Sequence, residues 1–364
     1  MCIELNDFYL GTPMNWYEYM WIKMANIPQD IINQYGLTEK AVNGKVLVEI
    51  RKGMYGLKQA GPIVNDRLKH HLKASGYVPC KYTPGLFSQI SRKISFALFV
   101  NYFGVKYTNK ADAQHLLTCL EQLYKCTTYR EGKLYLGMTL NCNYAKQWME
   151  KSMLSYIDKV WTRFYGATVA PKSVEAPHAW TTPQYGSSQP QLTSPIDSSP
   201  LFSAPDKTRL QEIAESLLYF PHCINSTILA TLRSIGTNIA YGTERVAAMA
   251  AYLLNFCANN RNTKIRYFAS DIQLCGHTDA SYMSVSKARS RAAAYFYLST
   301  YDGALLPTDH KLKLPARPNG TIHVMSTVMR QVLSSATEAE VGATFYGCQY
   351  AVPLRNTLAD LGHV

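Results

Sequence analysis

The stretch RKGMYGLKQAG, residues 51–61, gathers the side chains best suited to handling a polyanion. Arg51, Lys52 and Lys58 stand among Gly53, Gly56 and Gly61 beside Tyr55, a set that suits phosphate contact and base stacking. An ordinary glycine-rich turn with solvated lysines has the same composition, and the residues taken alone favour that simpler account. Acids able to hold a metal are scattered. Asp279 ends a strand-type run and Glu340 lies in a helix-type one, and a lone acid in such a place is usually a turn aspartate or a helix-face glutamate. His70 and His71 are adjacent on a helical stretch, so they point to different sides, fit a wet helix face near nucleic acid and do not share a metal. Arg289 and Arg291 alternate on a strand and could line one face toward an RNA–DNA hybrid, although paired surface arginines are common without that role.

The chain that must position these groups has 364 residues, enough for two or three domains, and its 47% hydrophobic content and 17% charge are those of a folding protein. A formal net charge of +12 would attract nucleic acid or an acidic membrane surface, and equally fits a basic protein with no such partner. Nine cysteines without a CxxC pair read as reduced thiols. The opening MCIELNDFYL is no leader and no apolar run reaches the ~18 residues of a bilayer span, so an intracellular protein without membrane partners is expected, in cytoplasm or nucleus.

Residues 1–166 mix strand-type runs, KVLVEI (45–50) and SFALFV (95–100), with helical stretches such as 65–76, which is an α+β pattern. Residues 167–207 are rich in Pro, Ser and Thr and read as a linker or strap. Helical period returns over 208–263, with Leu210, Ile213, Leu217 and Leu218 in one helix and 244–256 in another. From 264 three strands in a meander are expected, separated in part by the loop 308–320, and then a helix. Ser335 and Glu338 have capping-box spacing, and Val341, Phe345, Val352 and Leu358 recur at helical spacing behind them.

Four motifs in order surround the 51–61 stretch: DFYLGTPM (7–14), TPGLF (83–87), FVNYFGVKYT (99–108) and YLGMTL (135–140). Together they resemble the reverse transcriptase of Ty1/copia-type retrotransposon Pol polyproteins. The resemblance implies a palm and thumb over 1–166, with the fingers preceding residue 1, and a nucleotide and nucleic-acid contact at Arg51, Lys52, Tyr55, Gly56, Lys58 and Gln59. Such polymerases hold two Mg²⁺ ions with carboxylates. Glu4, on an expected strand over 3–10, stands at the first carboxylate position, longer than aspartate by one methylene. Asn101 and Tyr102 stand at the paired aspartates, and neither carries a negative charge at neutral pH. One carboxylate of three remains, which opposes tight Mg²⁺ binding. Asp7, three residues along the strand from Glu4, is expected on the opposite face and offers no substitute.

A second resemblance, to the ribonuclease H of the same elements, rests on LCGHTDASY (274–282), KARSRAAAYFYLS (287–299) and SSATEAEVGATF (334–345). It implies a β-β-β-α unit over 264–364 whose fourth strand and later acid follow residue 364. Asp279 and Glu340 fall on two of that domain's metal-binding acids, an incomplete site, while 208–263 resembles the helical connection. The expected protein is therefore a remnant of an RNA-directed DNA polymerase with ribonuclease H, catalytically inactive in this copy. Its partners would be an RNA/DNA template-primer or hybrid, with Mg²⁺ as the family's cofactor. The alternative is a non-catalytic nucleic-acid-binding protein derived from a retroelement.

Overall fold

The apolar runs and the amphipathic stretches form strands and helices in alternation, giving the expected mixed α+β chain. The computed structural model describes residues 1–179, 197–285, 287–300 and 318–363, and they fall into two compact units, Met1–Lys133 and Leu134–Val364.

In the first unit the strands are β1 (Cys2–Leu5), β2 (Pro13–Lys23), β3 (Lys45–Lys52), β4 (Tyr77–Pro79), β5 (Leu86–Gln89), β6 (Ile94–Phe99), β7 (Tyr102–Tyr107) and β8 (Cys126–Tyr129). The helices are α1 (Gln29–Tyr35), α2 (Leu37–Lys40), α3 (Ala60–Ala74) and α4 (Lys110–Glu121). Six strands make one antiparallel sheet in the order β4-β5-β6-β7-β1-β8, and β2 and β3 form a separate two-stranded ribbon. Val64, Leu68 and Leu72 recur every fourth residue, so α3 presents one apolar stripe. That stripe packs with Leu116 and Leu120 of α4 onto Ile3, Leu5, Phe96 and Phe103 of the sheet. Each such side chain contributes about 1.5–3 kcal/mol on burial.

β1 is shorter than the expected strand over 3–10. The chain leaves it after Leu5 and turns through Asp7 at φ 51°, so Asp7 is an exposed turn residue and not a residue on the far face of the strand.

In the second unit β9 (Leu134–Tyr135), β10 (Met138–Asn143), β11 (Trp148–Ser152) and β12 (Lys264–Phe268) form a sheet in the order β12-β11-β10-β9. Lys264–Phe268, expected to open the last domain, thus pairs with β11. Residues 134–165, expected to belong with 1–133, lie in the second unit. Cross-strand chemistry fixes this pairing: Glu150 sits opposite Arg266 and accepts its Nη2 at 2.5 Å and its Nε at 3.0 Å, with Lys264 Nζ at 3.7 Å. The same guanidinium lies 4.9 Å from the Trp148 ring centroid.

Helices α5 (Tyr156–Tyr165), α6 (Ala204–Leu217), α7 (Tyr219–Cys223), α8 (Leu229–Asn238) and α9 (Glu244–Asn259) share one apolar core, which buries Trp161, Leu217, Phe220, Leu232 and Leu253 among others. α6 begins at Ala204, capped by Ser203, so the expected linker over 167–207 ends earlier than its composition implied. Its residues 180–196 lie outside the described residues. Residues 167–179 have no regular structure and are tied to α5 and α9, with Trp161 Nε1 donating to the Val169 carbonyl at 2.8 Å and Asn259 Nδ2 to that of Lys172 at 2.9 Å.

The meander is β13 (Gln273–Val285), β14 (Arg289–Ser299) and β15 (Thr321–Val328), antiparallel in that order, followed by α10 (Ala336–Asp360). Of the loop 308–320 only 318–320 is described. Ser335 Oγ accepts from Glu338 N at 3.1 Å, but the Glu338 carboxylate reaches one residue further back than a capping box requires and takes Ser334 N and Oγ, both at 2.7 Å. Those bonds hold the Glu338 carboxyl below its ordinary range. The expected apolar stripe of α10 holds only at Leu358, which is buried: Val341, Phe345 and Val352 are exposed, and Ala339, Ala343 and Gly347 face inward. Small residues allow the close approach, since a Cβ on Gly347 would lie 2.5 Å from Thr278 Cγ2.

Candidate functional site

Glu4, Asn101 and Tyr102 are separated by about a hundred residues in sequence and meet because β1 lies between β7 and β8. The register pairs Glu4 with Tyr102 on one side and with Thr127 on the other. β6 and β7 are joined by a tight turn closed by the Phe99–Tyr102 pair, with Val100 at φ 57°, an uncommon conformation for a β-branched residue. The turn is pinned from β1. Leu5 N donates to the Asn101 carbonyl at 2.9 Å, and the buried Asn101 side chain returns a bond from Nδ2 to the Leu5 carbonyl at 3.0 Å.

Beside it, the Tyr102 hydroxyl donates to Glu4 Oε1 at 2.8 Å. That bond, with burial and the Glu4 charge behind it, pushes the phenol up to about 12, and the nearby Tyr55 and Tyr129 phenols add to the shift. The phenol is therefore protonated at neutral pH and acts as a donor. The donor set does not fit Mg²⁺, a hard cation that favours several charged oxygens. It offers one carboxylate already accepting a bond, a neutral amide whose nitrogen is committed, and a protonated phenol.

The 51–61 stretch spans the end of β3, an irregular loop and the start of α3. Gly53 is required where this loop crosses the segment after β1: its N–H donates to the Thr12 carbonyl at 2.9 Å, and a Cβ there would lie 2.8 Å from the Tyr9 carbonyl oxygen. Tyr55 rests against Tyr9, with ring centroids 4.5 Å apart, and stays largely exposed. Gly56 adopts φ +94°, which favours glycine. Lys52 and Lys58 are exposed and form no ion pair among the described residues.

Two of the expected contact residues are engaged elsewhere. Arg51 Nε donates to Glu49 at 2.5 Å, its guanidinium lies 5.6 Å from the Tyr17 ring centroid, and Glu49 holds it in the charged form. Gln59 Nε2 donates to the Trp16 carbonyl at 3.0 Å and to Glu18 at 2.8 Å, which anchors the start of α3 to β2. Nothing in the linear spacing pointed to this, because both partners lie more than 40 residues away.

Asp279 and Glu340 are both exposed. Thr278, the neighbour of Asp279, touches α10 through a 3.1 Å contact between its hydroxyl and that of Thr344, so the alternation of β13 turns Asp279 to the other face of the strand. Among the described residues no three His, Cys, Asp or Glu side chains gather where they could hold a metal.

The histidine pair is also resolved. His71 is half-buried with Nε2 2.6 Å from the Cys119 carbonyl, a bridge between α3 and α4, so only His70 fits the expected wet face. Arg291 is half-buried with Nη1 3.4 Å from Ser326 Oγ, and burial and Arg233 pull its pKa down, so it is a packed residue more than a lining one. No protein-family model matches the chain. Among the described residues no helix is long and apolar enough to cross a membrane.

Proposed function

We propose that the chain is a Ty1/copia-type reverse transcriptase palm and thumb followed by a helical connection and a ribonuclease H-like β-β-β-α unit, and that its polymerase centre is inactive. The observation that carries this reading is the convergence of Glu4, Asn101 and Tyr102 at one point of the six-stranded sheet, where sequence resemblance alone had aligned them with metal-binding acids. Residues from two segments nearly a hundred positions apart, which the resemblance aligns with a carboxylate cluster, meet here and bond to one another and to backbone. The order of the β13-β14-β15 meander and α10 supports the second half of the reading.

With these side chains the site can hold its own sheet together but lacks the charge to stabilise an in-line phosphoryl displacement. Primer extension on an RNA template, with Mg²⁺ and separately with Mn²⁺, tests this. No extended product is expected, and extension by the unmodified chain would overturn the proposal of an inactive centre. The second reading, a nucleic-acid-binding protein without catalysis, is favoured by Lys52 and Lys58, two exposed cations with no ion pair among the described residues, flanking an exposed tyrosine.

A further inference from the structure

The ribbon of β2 and β3 carries side chains that the polymerase reading does not use. Successive side chains on a strand point to opposite faces, so Tyr17, Tyr19 and Trp21 share one face. The register sets Glu49 opposite Tyr19, Leu47 opposite Trp21 and Lys45 opposite Lys23 on that same face. The three rings are open to solvent, Tyr17 at 51%, Tyr19 at 62% and Trp21 at 52% exposure. Two of them are also held in place. The Arg51 guanidinium lies over Tyr17, and the Tyr19 hydroxyl donates to Glu49 at 2.9 Å. The Glu49 carboxylate is shared between Tyr19 and Arg51, so the acid on this face is already neutralised.

At the far end the ammonium groups of Lys23 and Lys45 stand on directly opposed residues, and neither has an ion pair among the described residues. Like charges placed directly across a ladder destabilise it, and an anion between them removes that cost.

We infer that this face is a stacking platform for single-stranded nucleic acid, with bases on Tyr17, Tyr19 and Trp21 and a backbone phosphate between Lys23 and Lys45. The spacing selects the single strand. Residues two apart on a strand repeat every ~6.7 Å, about twice the ~3.4 Å separation of nucleotides along a duplex strand. Bases that remain stacked in a duplex cannot reach successive rings, whereas an extended strand can lay one base on each. The charge on the face, with Lys23, Lys45 and Arg51 against Glu49, complements a polyanion. The inference takes only the class of polymer from the nucleic-acid reading above, and it names a surface separate from Tyr55, Lys52 and Lys58.

Fluorescence anisotropy of a labelled twenty-nucleotide oligo-dT, an RNA of the same length and a twenty-base-pair duplex, titrated with the full chain at rising salt, tests it. The single strands are expected to bind more tightly than the duplex. Replacing both Tyr19→Ala and Trp21→Ala should weaken single-strand binding on the order of a hundredfold, tenfold per ring. Lys23→Gln with Lys45→Gln should flatten the slope of log affinity against log salt by about 0.7 for the one phosphate lost. All four positions are exposed, and a single cooperative urea transition confirms that each variant is folded.

Full-strength single-strand binding by the ring variant, together with loss in Lys52→Gln/Lys58→Gln, would overturn the platform and leave the loop as the binding surface. Loss in the ring variant alone would support the platform and remove the loop. Preference for the duplex would overturn the platform, as would concentration-dependent dimerisation abolished by the ring variant without any single-strand binding.

Discussion

The two sets of positions aligned with metal-binding acids differ in how they are embedded. On β1 and at the β6–β7 turn only Glu4 is an acid, and the side chains beside it are bonded inward: Asn101 to the Leu5 backbone, Tyr102 to Glu4. On β13 and α10 both positions are acids, but Asp279 and Glu340 are exposed and Asp279 is turned from the strand face that meets the helix. The lesson is that a polar group's cost depends on its burial. A charge buried beside β1 and β7, at the position of Asn101, is tolerable only with a counterion or a full set of hydrogen bonds. Isolated acids at the rim of a three-stranded meander cost almost nothing to keep.

The largest expected effect is therefore at Asn101. Asn101→Asp removes the buried donor to the Leu5 carbonyl and sets a carboxylate against it, so the protein should lose about 1–3 kcal/mol or more of stability, read from the urea midpoint. A neutral result would mean that the inward bonding of this centre is incidental. Tyr102→Phe comes next, at about 0.5–1.5 kcal/mol, because Glu4 is partly exposed and water can replace the lost donor.

The same bond has a pH signature. The phenol ionises near 10 in an unfolded chain and at about 12 here, so the folded state holds the proton more tightly. Its contribution is fully present below about pH 10 and is lost as pH rises toward 12. Unfolding followed from pH 9 to 11.5 should show a stability decline that is shallower in Tyr102→Phe. An unchanged decline would detach Tyr102 from Glu4. Smallest of all, Asp279→Asn with Glu340→Gln should shift stability by no more than about 0.5 kcal/mol. A larger loss than that of Asn101→Asp would reverse the contrast.

Much of this fold is legible in the sequence. KVLVEI and SFALFV become β3 and β6, the stretch around 65–76 lies largely within α3, and the three strands of the meander pair in the expected order. Period and turn chemistry are local properties and survive into the structure. The rest depends on distant partners. β12 pairs with β11 instead, where Arg266 meets Glu150, 116 residues away, and lies over the Trp148 ring.

Helical spacing of large apolar residues marks only Leu358 of the inward positions on α10, because side-chain volume decides the rest. Against the meander, Ala339, Ala343 and Gly347 pack closer than valine or phenylalanine could, and Val341, Phe345 and Val352 are left outside. The candidate site was only half legible. The positions of Glu4, Asn101 and Tyr102 followed from motifs, but their bonds to each other did not. WYEYMW (16–21) alternates with the period of a strand, a signal that could have marked the ribbon's aromatic face.

The inward bonds of Asn101 and Tyr102 also bear on history. On the proposed reading, a path back to a metal centre needs at least two codon changes. Either one made alone trades a satisfied bond for an uncompensated charge, without assembling a ligand set that could repay it. Every single step back therefore leads to a less stable protein that still lacks catalysis. Selection has no intermediate to favour, so this lineage would behave as a ratchet, and reactivation by stepwise drift is closed to it.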